Sequence, residues 1–236
     1  MLNNKMYKVE EKRKPKSLIL DFGYVLCYPT TGDWFITPWF SHYIKEHGLD
    51  RKVILKNTKG FGDILDRQIR TMSQEVEMFY DFYEGVFEKA GYDISPTDIY
   101  RIAEDITIST TKYKMFEGVR EELVALKEYY DLILLSDNWP CGEYLMDEWD
   151  LSQYFKDIYI SSYYGIKKDN PDFFKIPMEE HHIDASDAIF VDDSDVPLNT
   201  AIGLGIESYK MDRYNNIKES NYNVIHDLNC LCRKKS

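Results

Sequence analysis

Four polar groups in this chain each follow an apolar run, and their types suit carboxylate and phosphoryl chemistry. Asp21 follows Leu18-Ile19-Leu20, with Gly23 two residues further on. Asp192 and Asp193 follow Ala188-Ile189-Phe190-Val191. Ser136, Asp137 and Asn138 follow Leu132-Ile133-Leu134-Leu135, and Lys167-Lys168 lie just after Gly165. Apolar runs this short read as buried parallel strands, and open α/β sheets gather their ligands at the carboxyl ends of such strands. Acids brought to one edge by two strands repel one another unless a hard cation lies between them, which points to Mg²⁺ with oxygen ligands. For a phosphate-ester substrate, Asp21 can attack phosphorus. A lysine then neutralises charge on the transferring group, and a serine hydroxyl with nearby N–H groups holds the non-bridging oxygens. Taken singly, each residue has a plainer use as a cap, a turn residue or a solvated charge. Order and spacing taken together argue for a site.

The elements that must position these residues alternate in period. Thr37-Pro38 reads as a helix N-cap followed by proline at the first helical position, with Phe40, Tyr43 and Ile44 on one face. Val76, Phe79, Tyr80, Tyr83, Val86 and Phe87 recur at helical spacing up to Gly91. Ser95-Pro96 opens another helix with Ile99, Ile102, Ala103 and Ile106 inward. Gly118 precedes an amphipathic helix with Val119, Leu123, Leu126 and Tyr130 inward, and then comes the strand 132–135. A strand from Phe155 to Ser161, a helix from Pro171, the strand 188–191 and a helix ending near Gly203 complete the pattern. Strands alternating with helices predict an α/β fold with a doubly wound parallel sheet. The stretch from about 32 to 112 reads as an all-helical insertion without strands.

Composition narrows the function classes. The 236 residues carry a net charge of −12, which argues against a nucleic-acid surface. The short basic run Lys12-Arg13-Lys14-Pro15-Lys16 reads as a solvated lead into the first strand. No apolar segment approaches the ~20 residues of a membrane span, and no secretory signal precedes Leu18. Cys27, Cys141, Cys230 and Cys232 have no paired metal-ligand spacing, so free thiols and a cytoplasmic setting are expected. No nucleic-acid or membrane partner is expected, and the chain is expected to be a monomer or homodimer.

With order and spacing in view, the chain resembles the haloacid dehalogenase (HAD) superfamily of phosphotransferases, in the branch with a helical cap inserted after the first motif. Residues 18–26 look like the first motif, with Asp21 at the nucleophile, and Leu-Ile-Leu-Leu-Ser-Asp-Asn ending at Asn138 looks like the second. The segment from Gly165 to Phe174 resembles the third, where Lys168 aligns with the motif's lysine better than Lys167 does. Ile189 to Ser194 resembles the fourth. The likeness runs from Leu18 to about Lys210. It implies a Rossmann-like core of residues 1–31 and 113–236 with a helical cap at 32–112. It also implies a Mg²⁺-dependent phosphatase that hydrolyses a small phosphorylated metabolite through an aspartyl phosphate. Asp21 and Lys168 are then catalytic, and Ser136, Asp137 and Asn138 contact substrate. The metal is held by Asp21, Asp192, Asp193 and the backbone carbonyl of Gly23. The alternatives are a weak or inactive relative that binds phosphate or a partner, and a metal-free 2-haloacid dehalogenase.

Several positions depart from the family pattern. Gly23 stands where the family usually carries a second Asp as general acid and base, a role worth about 10²–10⁴-fold in rate. Asp137 places a charge beside the phosphate position, Asp169 replaces a common proline, and Pro197 takes the place of a further acid or amide. Asp33, Trp34, Phe35 and Trp139 lie next to the motifs and are the candidates for specificity. Among the cap aromatics, Tyr83 reads as core, and Trp39 as core or pocket.

Overall fold

Leu18, Ile19 and Leu20 expose no surface, which is the condition for an unalternating apolar run to form a strand covered on both faces. They lie in β1 (Lys16–Leu20) of the computed structural model, which describes residues 16–232. Most of the basic run, residues 12–15, falls outside the described residues.

After β1 come β2 (Cys27–Pro29) and five helices: α1 (Pro38–Glu46), α2 (Arg51–Asn57), α3 (Gly62–Leu65), α4 (Met72–Ala90) and α5 (Pro96–Ile108). Next are β3 (Tyr113–Met115), α6 (Val119–Lys127), β4 (Tyr130–Ser136), α7 (Pro140–Glu148), β5 (Asp157–Ile160) and α8 (Ser161–Tyr164). The chain continues through α9 (Pro171–Glu180), β6 (Ala188–Asp192), α10 (Asp195–Gly203), β7 (Glu207–Met211) and β8 (Asn223–Ile225). Six strands form one parallel sheet in the order β5-β4-β1-β6-β7-β8. β1 thus lies where the winding reverses, and such a switch opens a crevice beyond its carboxyl end.

Alternate strand residues face opposite layers. Leu18, Leu20, Leu132, Leu134 and Val191 pack on one side with Leu123 and Leu126 of α6 and Leu145 of α7. Ile19, Ile133, Leu135 and Phe190 pack on the other with Phe173 of α9 and Leu198 of α10. The five helices between β2 and β3 bury a separate cluster that includes Phe40, Ile54, Phe79, Phe82, Tyr83, Phe87 and Ile102. Thr37 and Ser95 accept hydrogen bonds from Phe40 N–H and Asp98 N–H as N-caps, with Pro38 and Pro96 opening the helices. Gly91 ends α4 with φ +73°, a conformation that a Cβ would disfavour. Among the described residues, no helix is long and apolar enough to cross a membrane, and all four cysteines are free.

Several boundaries differ from the sequence reading. Tyr130 opens β4 rather than extending α6, because α6 stops at Lys127 and Tyr130 pairs with Lys16 of β1. The strand expected over 155–161 is shorter, since Ser161 already begins α8. The antiparallel hairpin of β2 and β3 closes across the helical insertion. Three-residue strands carry no readable alternation, and their partners lie far apart in the chain. β7 and β8 extend the sheet past the last strand foreseen, and Glu207 and Asn223 at their starts dilute the apolar signal.

Candidate active site

The pairing of β1 with its neighbours sets the site. Leu20 aligns with Leu134 on β4 and with Val191 on β6. Asp21, one residue further, donates its N–H to Val191 O at 3.0 Å. Ser136 ends β4 and Asp192 ends β6, so both reach the same edge. A tight loop follows Asp21, in which Leu26 N–H and Cys27 N–H both bond Phe22 O. Tyr24 in that loop has φ +52°, uncommon for a residue with a Cβ.

Lys168 arrives from the opposite side. Gly165 ends α8 in the left-handed region (φ +70°), and Asn170 caps α9 by accepting from Asp172 N–H, so the loop between them is short and held at both ends. Lys168 N–H donates to Asp137 Oδ1 at 2.9 Å. Lys168 Nζ lies 2.6 Å from Asp21 Oδ1 and 2.6 Å from Asp192 Oδ2, and the side chain is almost fully buried. Asp192 Oδ1 also accepts from Ser194 N–H at 2.7 Å. One carboxylate oxygen from each of Asp21, Asp192 and Asp193 lies within 4.8 Å of the other two.

Three carboxylates therefore face one ammonium. Burial, then the charges of Asp192 and Asp193, push the Asp21 carboxyl well above its ordinary range despite Lys168. Burial and Asp192 raise Asp193 to about 6. Burial by itself lowers the Lys168 pKa, but Asp192, Asp21 and Asp137 override it and hold the proton on more tightly. The cluster has a surplus of negative charge that protons or a cation must relieve. Hard carboxylate oxygens this close together are a donor set that suits Mg²⁺.

The cluster lies in a cavity of about 510 Å³, within the size range of small-molecule sites. Asp21, Gly23, Ser136, Asp137, Asn138, Lys168, Asp192 and Asp193 all line it, so the residues singled out by the four motifs converge. Two of them serve the scaffold as well as the cavity. Asp137 spends one oxygen on the Lys168 backbone, so it anchors the lysine loop as a hydrogen-bond acceptor. The Asn138 side chain turns into the start of α7, where Oδ1 accepts from Trp139 N–H at 2.9 Å. Gly142 leaves room for that amide, since a Cβ there would come within 2.6 Å of it. Lys167 points away from the acids and pairs with Asp66.

Among the specificity candidates, Trp34, Phe35 and Trp139 line the cavity. Asp33 does not; it pairs with Arg51. Trp39 is 40 % exposed and also stands apart, because it lies on the outer side of α1, while Tyr83 is fully buried in the helical core. The indole of Trp34 covers Gly23, and a Cβ built on Gly23 would meet its Cη2 and Cζ2 at 3.2 and 3.3 Å. Sequence reasoning missed Lys112, Tyr113, Phe79 and Ile106, which also line the cavity. Phe79 and Ile106 sit in helical stripes that read as core, and a lone lysine between a helix and a strand gives no signal.

Helix α4 meets α7 close to this wall. Glu75, fully buried, accepts from Cys141 N–H through Oε2 at 2.8 Å, while its Oε1 has no partner. Burial raises its carboxyl to about 7 against the pull of Lys112 and Cys141. Trp139 Nε1–H to Leu65 O and Ile69 N–H to Ser162 O further tie the helices to the sheet edge.

Comparison with known proteins agrees with this architecture. Residues 56–211 match the family described as Haloacid dehalogenase-like hydrolase. That match takes in the second, third and fourth motifs and begins after Asp21, which the sheet register brings to them. No curated protein matches the chain in sequence. Among solved structures, a HAD family enzyme from Bacteroides thetaiotaomicron, in complex with magnesium and inorganic phosphate, is similar at 20% identity. Its TM-score is 0.61, over 86% of this chain and 98% of that one. A 2-haloacid dehalogenase from Pseudomonas syringae pv. Tomato is 16% identical with a TM-score of 0.63, over 92% and 96%. A HAD phosphatase from Thermococcus onnurineus is 16% identical with a TM-score of 0.61, over 92% and 95%. These likenesses establish the fold, while the family match covers well over half of the chain. With Asp21, Ser136, Lys168 and Asp192-Asp193 converging at the switch point of its parallel sheet, the chain belongs to the haloacid dehalogenase-like hydrolase family.

Proposed function

We propose that the chain is a Mg²⁺-dependent phosphatase that hydrolyses a small phosphate monoester, with residues 32–112 acting as a cap over a core of 1–31 and 113–236. One observation carries this reading. Lys168 bridges Asp21 and Asp192 at 2.6 Å each, Asp193 completes a three-carboxylate cluster, and the group lines a cavity of about 510 Å³. Asp21 Oδ attacks phosphorus in line as the bond from phosphorus to the ester oxygen breaks. Lys168 and the Ser136 hydroxyl steady the charge on the transferring group. With glycine at position 23, the departing oxygen takes its proton from a water molecule and leaves as an alcohol; water then attacks phosphorus, breaking its bond to Asp21 Oδ and releasing inorganic phosphate and free Asp21. Asp21, Asp192, Asp193 and the Gly23 carbonyl would hold Mg²⁺, which would supply charge neutralisation for the phosphoryl group. The aromatic residues from the helical insertion exclude bulk water during the first step. Similarity to an enzyme crystallised with magnesium and inorganic phosphate supports the reading.

The test is hydrolysis of a phosphate-ester panel with Mg²⁺ or with EDTA, by the native protein and by Asp21→Asn. Turnover that needs both Mg²⁺ and Asp21 supports the assignment, and hydrolysis unchanged in D21N overturns it. A second reading, a phosphate-binding protein that has lost turnover, is favoured by the Trp34 indole occupying the space above Gly23. Tight phosphate binding without hydrolysis of any ester would establish it. Metal-free dehalogenation of a 2-haloacid fits less well, because it leaves the surplus charge of the acid cluster unrelieved. Halide release in the presence of EDTA is its test.

A further inference from the structure

Three lysines line the cavity, and two are held by carboxylates: Lys168 by Asp21 and Asp192, and Lys167 by Asp66. Lys112, just before β3, is different. Its Nζ donates to Ile106 O at 2.5 Å and Thr107 O at 3.2 Å, the carbonyls of the last turn of α5. The side chain is only 2 % exposed. A helix C-terminus favours a cation, but two carbonyl dipoles only partly offset the cost of removing an ammonium from water. Lys112 lines the cavity, and among the described residues no carboxylate forms a close ion pair with it; Glu75 and Asp105 act on it at longer range, and the Cys141 thiol is a neighbour. The cavity that Lys112 lines has flat aromatic walls, Trp34, Phe35, Phe79, Tyr113 and Trp139. The Tyr113 ring centroid lies 5.1 Å from Nζ.

We propose that Lys112 is the specificity-determining residue of this cavity and receives a carboxylate at the end of the substrate remote from its phosphate. The substrate class is then a phosphate monoester whose organic part is flat and apolar and ends in a carboxylate. The inference rests on the phosphatase reading for the phosphate end, where Lys168 acts. At the other end it needs only the buried cation and its aromatic walls. A carboxylate seated there supplies the close ion pair that Glu75 and Asp105, which act on Lys112 only at longer range, do not form, in a site where such a pair gains from being charge-assisted.

The test separates the two readings by using probes that cannot be hydrolysed. Isothermal titration in Mg²⁺ compares 4-carboxybenzylphosphonate with its neutral isostere, 4-carbamoylbenzylphosphonate. The native protein is expected to prefer the carboxylate by about tenfold, equivalent to about 1.4 kcal/mol. Lys112→Met brings that ratio to about one, and Lys112→Arg keeps most of it. Equal affinities in the native protein overturn the proposal. So does a Met variant that binds both probes more weakly by the same factor, since that is the mark of a purely structural lysine. Hydrolysis of 4-carboxyphenyl phosphate is measured in parallel. A retained carboxylate preference without turnover upholds Lys112 and overturns the phosphatase reading, whereas turnover without preference does the reverse.

Discussion

Installing the missing acid at position 23 gives a direct measure of what Trp34 does. A Cβ on Gly23 would sit 3.2 Å from Trp34 Cη2 and 3.3 Å from Cζ2, inside the ~3.5–4.0 Å at which carbon atoms pack without repulsion. The carboxyl group of an aspartate extends further still, into the volume of the indole. The ring cannot simply step aside, because it lies edge-on to Tyr113 at 4.9 Å and to Tyr24 at 5.1 Å. Overpacking of this kind costs about 1–3 kcal/mol. Gly23→Asp alone should therefore lower stability by that amount and give no gain in rate. Trp34→Ala clears the space at the expense of aromatic contacts. In the double variant the carboxyl can reach a leaving oxygen, and general acid catalysis should return at the low end of its range. That is about 10²-fold, equivalent to about 2.7 kcal/mol of barrier.

The assay compares two esters with Mg²⁺ present. An alkyl phosphate expels a basic alkoxide and needs a proton, whereas 4-nitrophenyl phosphate expels a good leaving group and does not. The double variant should exceed W34A by about 10² in kcat/KM on the alkyl ester and by less than about threefold on the nitrophenyl ester. Equal gains on both esters would refute the proton-transfer argument. A gain from Gly23→Asp alone as large as that of the double variant would show that the indole is no obstacle.

Three further outcomes follow from the same geometry. Lys168→Met leaves three carboxylates without their ammonium, so in EDTA at pH 8 the variant should lose about 3–5 kcal/mol in urea unfolding. Added Mg²⁺ should restore much of that loss, and equal stability with and without metal would contradict the charge argument. The Glu75 carboxyl rises from 4.5 to about 7 on folding, so the folded chain holds a proton that the unfolded chain releases across that window. Through Glu75, stability should then fall as pH rises from about 4.5 to 7, by about 3 kcal/mol on top of the falls that the raised carboxyls of Asp21 and Asp193 add. Glu75→Gln should flatten this slope and make the protein more stable than the parent at pH 8, and a parallel pH curve in the variant would count against it. Asp137→Asn keeps an acceptor for Lys168 N–H but removes a charge, so it should preserve Tm to within a few degrees while altering KM for phosphate esters. A collapse in Tm would instead mean that the charge itself anchors the loop.

Much of the fold was legible because its signals are local. Leu18–Leu20, Leu132–Leu135 and Ala188–Val191 are apolar without alternation, which only a sheet covered on both faces tolerates. Thr37-Pro38 and Ser95-Pro96 announce helix starts through their own capping chemistry. β2 and β3 escaped notice because each is three residues long and its partner lies across the helical insertion. Asp33 misled because neighbourhood to a motif says nothing about which way a side chain faces, and the reading of Trp39 as core or pocket failed because a lone aromatic on a helix does not reveal which face is covered. Trp39 turns to solvent, and Asp33 pairs with Arg51.

The order Asp21, Ser136, Lys168, Asp192-Asp193 was enough by itself to indicate the family, because residue type and strand-end position are properties of the chain. Which atoms meet was decided by the tertiary structure. Parallel register sets Asp21 beside Asp192, and two anchored turns aim Lys168 rather than Lys167 at both. Packing also placed Trp34 over Gly23 and buried Lys112 against the last turn of α5, contacts between residues whose sequence positions carry no periodic signal. A glycine read from sequence is only a missing side chain. In the folded protein it is the space that an indole fills.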